Sequence, residues 1–418
     1  PDTRAGIRAV AEYLAGKWTG DEASRCGVAR CGYTRLGASG STAIYAGQYP
    51  QVCTAYVTVA LTELPGGPAD PRQEYAEAYD VCSVPVTRAI FDDLYDENYI
   101  SIKPGIFPDI LRPTYKGKTV TVLSGSLGSL WIKVAIPDNT APGKKTLCVK
   151  LCSDEGLDDI ENFFEIEVLD ALLPRDVIKN TEWFHCDSLA NYYRVEVWSE
   201  RHWQIIESFL KTARRNGMNM VLTPVFTPPL DTAVGAERLT TQLVGVTVSG
   251  GEYSFDFTLL DRWIDTCDRV GIKYFEISHL FTQWGAKHAP KIMATVDGVY
   301  KKIFGWETDA HGAEYGEFLH SFLTSFIAHM KARADDSRCY FHVSDEPKID
   351  NIEDYSKAKG QIKELLRGYT VMDAMSNYDF LTKGLVDVAI PATNQLLEHD
   401  FEYRFNSAGI SAILCTAD

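Results

Sequence analysis

The stretch YFHVSDEPKID, residues 340–350, ends a run of packing side chains on two adjacent carboxylates, Asp345 and Glu346, with Pro347 directly behind them. Neighbours on a regular strand point to opposite faces, so one of two adjacent acids is badly placed for a pocket that the other reaches. On that geometry Phe341, Val343 and Asp345 share one face, and His342, Ser344 and Glu346 the other. Pro347 is expected to hold Glu346 extended and to end the ladder. Once the strand gives way at its tip, both carboxylates can lean over one site. Two acids so close cannot easily both ionise in a partly dry pocket, and one is pushed toward its protonated form. That supplies one general acid beside one charged stabiliser. A polar strand end or a helix N-cap is the plainer account of the same two residues.

The elements that would carry such a pair show in the rhythm of the second half of the chain. TEWFHCDSL reads as a strand and SERHWQIIESFLKTARRNG as a helix, with Ser199 as N-cap, an apolar face through Trp203, Ile206 and Leu210, and a closing Gly217. NMVLTPVF, KYFEISHLF, CYFHVSDEP, YTVMDAMS, VDVAIPAT and GISAILCT read as further strands. FTLLDRWIDTCDRVG, GEFLHSFLTSFIAHMKAR and DYSKAKGQIKELLRG read as the helices among them. Strict alternation of this kind predicts a parallel sheet. No glycine-rich phosphate loop follows the first strand, which favours a (β/α)8 TIM barrel over a nucleotide-binding fold. A barrel takes ~250 residues. The span from Pro174 to Asp418 is barely that, and about seven strands leave it short of its last element.

The first half has another rhythm. From about residue 53 to 170 it is all-β: VCTAYVTVALTEL, AEAYDVCSVPVTRAIF, KTVTVLSG, SLWIKVAIP and KKTLCVKLCS are short alternating runs, separated by turns such as KPGIFPD and PDNTAPGKK. The predicted organisation is a poorly defined segment over 1–50, a β-sandwich over 51–172 and the catalytic barrel over 173–418. With 418 residues, two domains are the natural expectation.

A formal net charge of −16 sets the chain against nucleic acid and anionic membrane surfaces. No apolar run approaches the ~20 residues that span a bilayer, and PDTRAGIRAVAEYLAG lacks the apolar core of a secretion signal. The ten cysteines are scattered. Cys26 and Cys31, and Cys148 and Cys152, lie close but without zinc-ribbon spacing. Cys148, Cys186 and Cys339 fall in apparent strands, as small buried hydrophobes do. Reduced, structural cysteines point to the cytoplasm.

A barrel places its chemistry at the C-terminal ends of its strands. Those ends read His185 and Asp187; Thr223 and Phe226; Ser278, His279 and Phe281; Asp345 and Glu346; Ser376 and Asn377; Thr393 and Asn394. Two loops there are long. LVGVTVSGGEYSFDF reads as a hairpin about Gly250-Gly251. The loop after the third strand carries Trp284, Tyr300, Phe304 and Trp306, of which Trp284 and Trp306 are expected to face a sugar ring. A metal-dependent hydrolase built on His185, Asp187, His279 and His342 is the rival, weakened by the lack of an H-x-H pair on any strand.

FHVSDEP, together with TEWFHCDSLA, NMVLTPVFTPPLDT, ISHLFTQWGAKHAPKI and KPGIFPDILRP, resembles the family 123 glycoside hydrolases over residues 75 to 400 or so. Those are β-N-acetylgalactosaminidases with an N-terminal β-sandwich and a (β/α)8 catalytic domain. The resemblance implies a carbohydrate substrate, no cofactor and a retaining reaction in which the substrate's own 2-acetamido group attacks. It places the family's acid pair on Asp345, holding the acetamido N–H, and Glu346, the general acid and base. His185, Asp187, His279, Trp284, Ser376, Asn377 and Tyr378 become the sugar contacts it implies. A non-catalytic glycan-binding protein is the other alternative.

Overall fold

The computed structural model describes residues 32–36, 41–45, 53–61, 76–87, 103–114, 119–122, 127–153, 160–172, 176, 178–183, 185–375 and 377–391. The chain divides into two compact units, Pro1–Leu173 and Pro174–Asp418.

The described part of the first unit is two antiparallel sheets. One takes β1 (Gly32–Leu36), β2 (Ser41–Tyr45), β7 (Leu127–Val134), β4 (Ala76–Val86) and β5 (Gly105–Pro113) in that order; the other takes β6 (Thr119–Val122), β3 (Cys53–Leu61), β8 (Gly143–Ser153) and β9 (Ile160–Val168). The alternating runs become β3, β4, β6, β7 and β8. KPGIFPD, read above as a turn, instead begins β5. Proline has no N–H to give a ladder, and β5 sits at a sheet edge, with Pro108 facing Ser83 beside a register shift. The aperiodic first segment also contributes strands: β1 and β2 pair from Gly32 with Tyr45 to Leu36 with Ser41.

In the second unit β10 (Met220–Thr223), β13 (Tyr274–Ile277), β16 (Cys339–Phe341), β17 (Thr370–Met375) and β18 (Val388–Pro391) form one parallel sheet. Neighbours follow chain order without a reversal, as strands of a barrel do and those of a doubly wound sheet do not. TEWFHCDSL is a correction: among its described residues only Thr181 bridges to Met220, in parallel sense, and Cys186 opens helix α1 (Cys186–Tyr193) rather than lying in a strand. Its buried Cys186, Leu189 and Ala190 recur at helical spacing, which short apolar runs leave open to either reading. GISAILCT, Thr393 and Asn394 lie outside the described residues.

Helix α2 (Glu200–Arg215) forms as its sequence directs. The Ser199 side chain accepts from the His202 N–H, Trp203, Ile206 and Leu210 are buried, and Gly217 turns the chain with φ 104°. Helices α3 (Thr258–Val270), α4 (Ala313–Ala332), α5 (Ile352–Ile362) and α6 (Asp379–Thr382) follow the later strands. From α4, Phe318, Phe322 and Phe326 project at i, i+4 spacing into the core, where Phe322 meets Phe226 at 4.5 Å between centroids and Phe326 meets Phe341 at 6.1 Å. The two long loops are ordered hairpins. β11 (Gly245–Ser249) and β12 (Glu252–Asp256) turn through Gly250 and Gly251 at φ 58° and 88°. β14 (Ile292–Val296) and β15 (Val299–Phe304) turn through Asp297-Gly298, and β14 pairs with β11 in parallel, making a four-stranded mixed sheet. Asp-Gly between alternating residues was the overlooked signal for the second of these.

Truncation of Phe322 to Ala should cost about 3–5 kcal/mol, because the site is fully buried among rings that cannot collapse onto the void; equilibrium urea unfolding would measure it.

Candidate active site at the tip of the third parallel strand pair

The regular ladder of β16 stops at Phe341. Beyond it the backbone is held from one side by the segment that follows β13. The N–H groups of Leu280, Phe281 and Trp284 donate to the carbonyls of His342, Val343 and Asp345 at 3.3, 3.0 and 2.8 Å, and the Ser344 hydroxyl donates to the Thr282 carbonyl at 2.7 Å. These bonds outweigh the extended preference that Pro347 imposes. Glu346 does not stay extended: its φ is 40°, in the left-handed region, an unfavourable place for a residue before proline. Strain of this kind, about 1–3 kcal/mol, persists where surrounding structure forces it, and such places are often functional. The bend leaves Asp345 half-buried and Glu346 exposed.

Beneath the bend lies a buried ionic network. His342 sits between two carboxylates, with Nδ1 at 2.7 Å from Asp373 Oδ1 and Nε2 at 2.7 Å from Glu276 Oε1, all three side chains fully buried. Burial alone would lower the His342 pKa, but hydrogen bonds and charge from Asp373 and Glu276 outweigh it and push it up to about 10. The ring is an imidazolium at neutral pH. Glu276 also accepts from Trp183 Nε1 at 2.7 Å and Thr181 Oγ1 at 2.5 Å. Asp373 accepts from the backbone N–H of Val343 (3.1 Å) and Ser344 (3.2 Å) and from the Tyr355 hydroxyl. Neither carboxylate was among the residues expected from sequence. The available signal was one acid inside each of the apolar strands YFEI and TVMDAM.

Desolvation, then the neighbouring charges of Glu346 and Asp373, raise the Asp345 pKa to about 7, with the His342 cation pulling the other way and Asp231 adding to the rise. The acid pushed toward protonation is therefore the inner member of the pair.

The other expected residues divide by environment. His279 is fully buried, stacked on His342 at 4.3 Å and edge-on to Trp183 at 5.3 Å, and neither ring nitrogen has a hydrogen-bond partner among the described residues. Burial, with the His342 charge, holds its pKa well below the ordinary histidine value, so the ring is neutral. His185 Nε2 lies 3.0 Å from Asp231, and its Nδ1 is unpartnered. Asp187 is committed elsewhere: Arg238 takes both its oxygens at 2.9 Å and continues to the Leu230 carbonyl. Trp284 is joined to the acid pair through its N–H bond to Asp345 and is 42 % exposed. Its turn requires Gly285, whose φ is 143° and where a Cβ would stand 2.8 Å from Asn351, the residue that donates Nδ2 to the Trp284 carbonyl. Trp306 is half-buried and donates Nε1 to the Ala236 carbonyl, in the wall of a shallow pocket shared with Thr227, Arg238 and Lys291. Asn377 accepts the Asp379 N–H, starting α6. Tyr378 is half-buried beside it, and Ser376 lies outside the described residues. Asp231, which faces His185 and bears on Asp345, was overlooked.

Among the described residues His279, His342 and Asp373 are the group that could hold a metal ion, with donor atoms within 4.8 Å of one another. The donor set does not fit. Both His342 nitrogens already donate to carboxylates at hydrogen-bond distance, and an imidazolium repels a cation. Asp187 is held by Arg238 through both oxygens, and it forms no metal-ligating group with His185 among the described residues.

Because the folded-state pKa of Asp345 lies above the unfolded value, the folded chain holds a proton that the unfolded chain has released. Stability is therefore lost as pH rises from about 4 to about 7. Asp345→Asn should be more stable than the unsubstituted protein at pH 8 by about 2 kcal/mol, a shift of three units at 1.36 kcal/mol each discounted for partial solvation. The difference should vanish below pH 4, as urea midpoints at the two pH values would show. Gly285→Ala should cost about 1–3 kcal/mol in the same assay.

The comparisons with known proteins bear on the fold and the family. The solved structure of a family 123 glycoside hydrolase from Clostridium perfringens, described for glycolipid glycan hydrolysis, aligns with TM-score 0.64 and 16% identity over 85% of this chain and 60% of that one. It shares the fold, and the present chain spans about three-fifths of its length. β-Glucuronidases of Parabacteroides merdae (12% identity, 87% of this chain, 35% of that one) and Dictyoglomus thermophilum (11%, 81% and 46%) align with TM-scores of only 0.27 and carry no weight. No curated protein matches in sequence. Residues 183–414 match the description "Glycoside hydrolase 123, catalytic domain". That span is more than half of the chain and runs from Trp183 past both acids and both buried carboxylates, and by it the chain belongs to the glycoside hydrolase 123 family.

Proposed function

We propose that the protein is a glycosidase that releases terminal β-linked N-acetylgalactosamine from a glycan or glycolipid by a retaining, substrate-assisted reaction. The observation that carries this reading is the adjacency of Asp345 and Glu346 at a forced bend in a family 123 catalytic domain. Adjacent acids suit a reaction whose nucleophile comes from the substrate, since no enzyme carboxylate has to stand across the sugar from the acid. The acetamido oxygen attacks the anomeric carbon as Glu346 gives its proton to the departing glycosidic oxygen, leaving an oxazolinium ion. Asp345, as an anion, accepts the acetamido N–H and stabilises the positive charge. Water then attacks the same carbon, giving its proton to Glu346, and the acetamido group is restored.

Exposure of Glu346 suits a group that meets solvent-delivered aglycone and water, and half-burial of Asp345 suits one covered by the sugar. His279 and His185, neutral and with unpartnered nitrogens, fit hydroxyl contacts at the base of the sugar site. Trp284 and Trp306 offer ring faces, Asn377 and Tyr378 lie at the next strand end, and Ser376 is a contact implied by the family resemblance. Asp187 serves through Arg238. The reading includes a (β/α)8-type barrel, supported by the sequential parallel order, preceded in the sequence by a β-sandwich, supported by the two antiparallel sheets. It also includes a cytoplasmic location, in accord with free thiols among the described residues at Cys82, Cys186, Cys267 and Cys339.

A chromogenic β-GalNAc substrate tests it. Asp345→Asn and Glu346→Gln should each lower kcat/KM by about 10²–10⁴-fold, with azide restoring turnover of Glu346→Gln only for substrates with good leaving groups. In the free enzyme kcat/KM should fall as pH drops through about 7, when Asp345 takes up its proton. An Asp345→Asn enzyme of full activity would remove the substrate-assisted reading, and glycan binding without turnover would favour a binding protein.

A further inference from the structure

The buried network leaves one question of mechanism open, namely what fixes the bend on the side away from the segment after β13. We propose that Asp373 is the positioning residue of the acid pair, with His342 and Tyr355 as its partners: its carboxylate grips the backbone N–H groups of Val343 and Ser344 and so fixes where Asp345 and Glu346 emerge. The role rests on the function proposed above, although the grip itself does not.

The geometry is specific. One carboxylate from β17 collects the two consecutive amides that precede the acids, at 3.1 and 3.2 Å, where β16 has already left its ladder. A neutral amide side chain could not accept from all of these donors. Its –NH2 would face either two backbone N–H groups or a ring nitrogen that now donates. His342 and Tyr355 complete the shell, so every direction around the carboxylate carries a donor. Glu276, Trp183 and Thr181 hold His342 from its far side and keep the imidazolium in register with Asp373. A core of this volume needs no buried ion trio for stability, since apolar packing serves as well or better. What the trio adds is a fixed direction for two amides. The bend is thereby gripped from both sides, by carbonyl bonds from Leu280, Phe281 and Trp284 and by amide bonds to Asp373.

Loosening one side should let water reach Asp345. The charged groups facing Asp345 are Glu346 and His342 on its own segment, Asp373 from β17 and Asp231 from the loop after β10, but desolvation is the largest of the influences on it. Hydration then moves its titration down, toward the ordinary carboxylate range.

The test uses Asp373→Asn and, should that variant fold poorly, Tyr355→Phe, which keeps the buried ring and removes only one donor to Asp373. Folded material is judged by circular dichroism and thermal unfolding. Two readouts are independent of turnover: amide hydrogen exchange at Val343 and Ser344, and the Asp345 carboxyl titration by ¹³C NMR against Asp345→Asn as blank. Exchange at both amides should quicken at least tenfold, and the Asp345 midpoint should fall by about one pH unit. Turnover adds a third: kcat on the chromogenic β-GalNAc substrate should fall about tenfold or more with KM within a factor of two, and the acidic limb of kcat/KM should move down with the carboxyl midpoint. Asp373→Glu, which retains the anion, should recover part of kcat. Folded variants with unchanged exchange and an unchanged Asp345 midpoint would overturn the proposal. Loss of protection and a shifted midpoint in a protein that never cleaves β-GalNAc would uphold the grip and overturn the functional reading alone.

Discussion

Asp373 lies in the middle of a strand, fully buried, and its two oxygens meet an imidazolium, a tyrosine hydroxyl and two backbone amides of a neighbouring strand end. A bare carboxylate at that depth would cost several kcal/mol, and removal of one partner from a buried pair leaves about 3–5 kcal/mol of uncompensated charge. The cost is offset only while all of those donors stay in place. The ion in the core and the shape of the chain above it are thus one constraint. The strand cannot relax at its tip without stranding the charge below.

From that constraint the character of the site follows. A straight continuation of β16 would send Asp345 and Glu346 to opposite faces. The bend brings them out together but unequally, the inner one half-buried with its pKa near 7 and the outer one exposed in a left-handed backbone. Two chemically similar acids acquire different environments from a single backbone event, and it is the inner one, Asp345, that is pushed toward protonation, so the anionic role proposed for it is filled only above its raised pKa. Asp345 is shielded by its surroundings and partly relieved by the His342 cation. The network beneath therefore bears on the chemistry by charge as well as by shape.

The loops around the tip are organised in the same economy of polar bonds. Gln283 ties the segment after β13 to the loop after β10 through the Asp231 N–H and the Thr232 carbonyl. Asp187 and Arg238 tie α1 to that same loop. The two hairpins join as one mixed sheet, so the aromatic residues of the second long loop ride on an ordered element. Among the described residues, His185 Nδ1 and both ring nitrogens of His279, which stacks on His342, are without hydrogen-bond partners.

Periodicity in the sequence specified the helices well, because α2 to α5 each carry an apolar face, a capping residue or a closing glycine within their own few turns. It specified which strands alternate with them and singled out Asp345-Glu346, since paired acids at a strand end are visible in a line of text. It did not specify that Cys186 starts a helix, that KPGIFPD lies in an edge strand, or that Glu346 abandons the extended backbone its proline favours. Those outcomes depend on partners distant in the chain. Nor could it give Glu276 and Asp373 a purpose, because an acid inside an apolar run is an anomaly until the histidine between the two is seen. Local propensity is written in neighbours a few residues apart. The ionisation of Asp345, the commitment of Asp187 to Arg238 and the isolation of His279 were decided by tertiary structure, because only folding sets burial and brings charges from different strands within reach of one another.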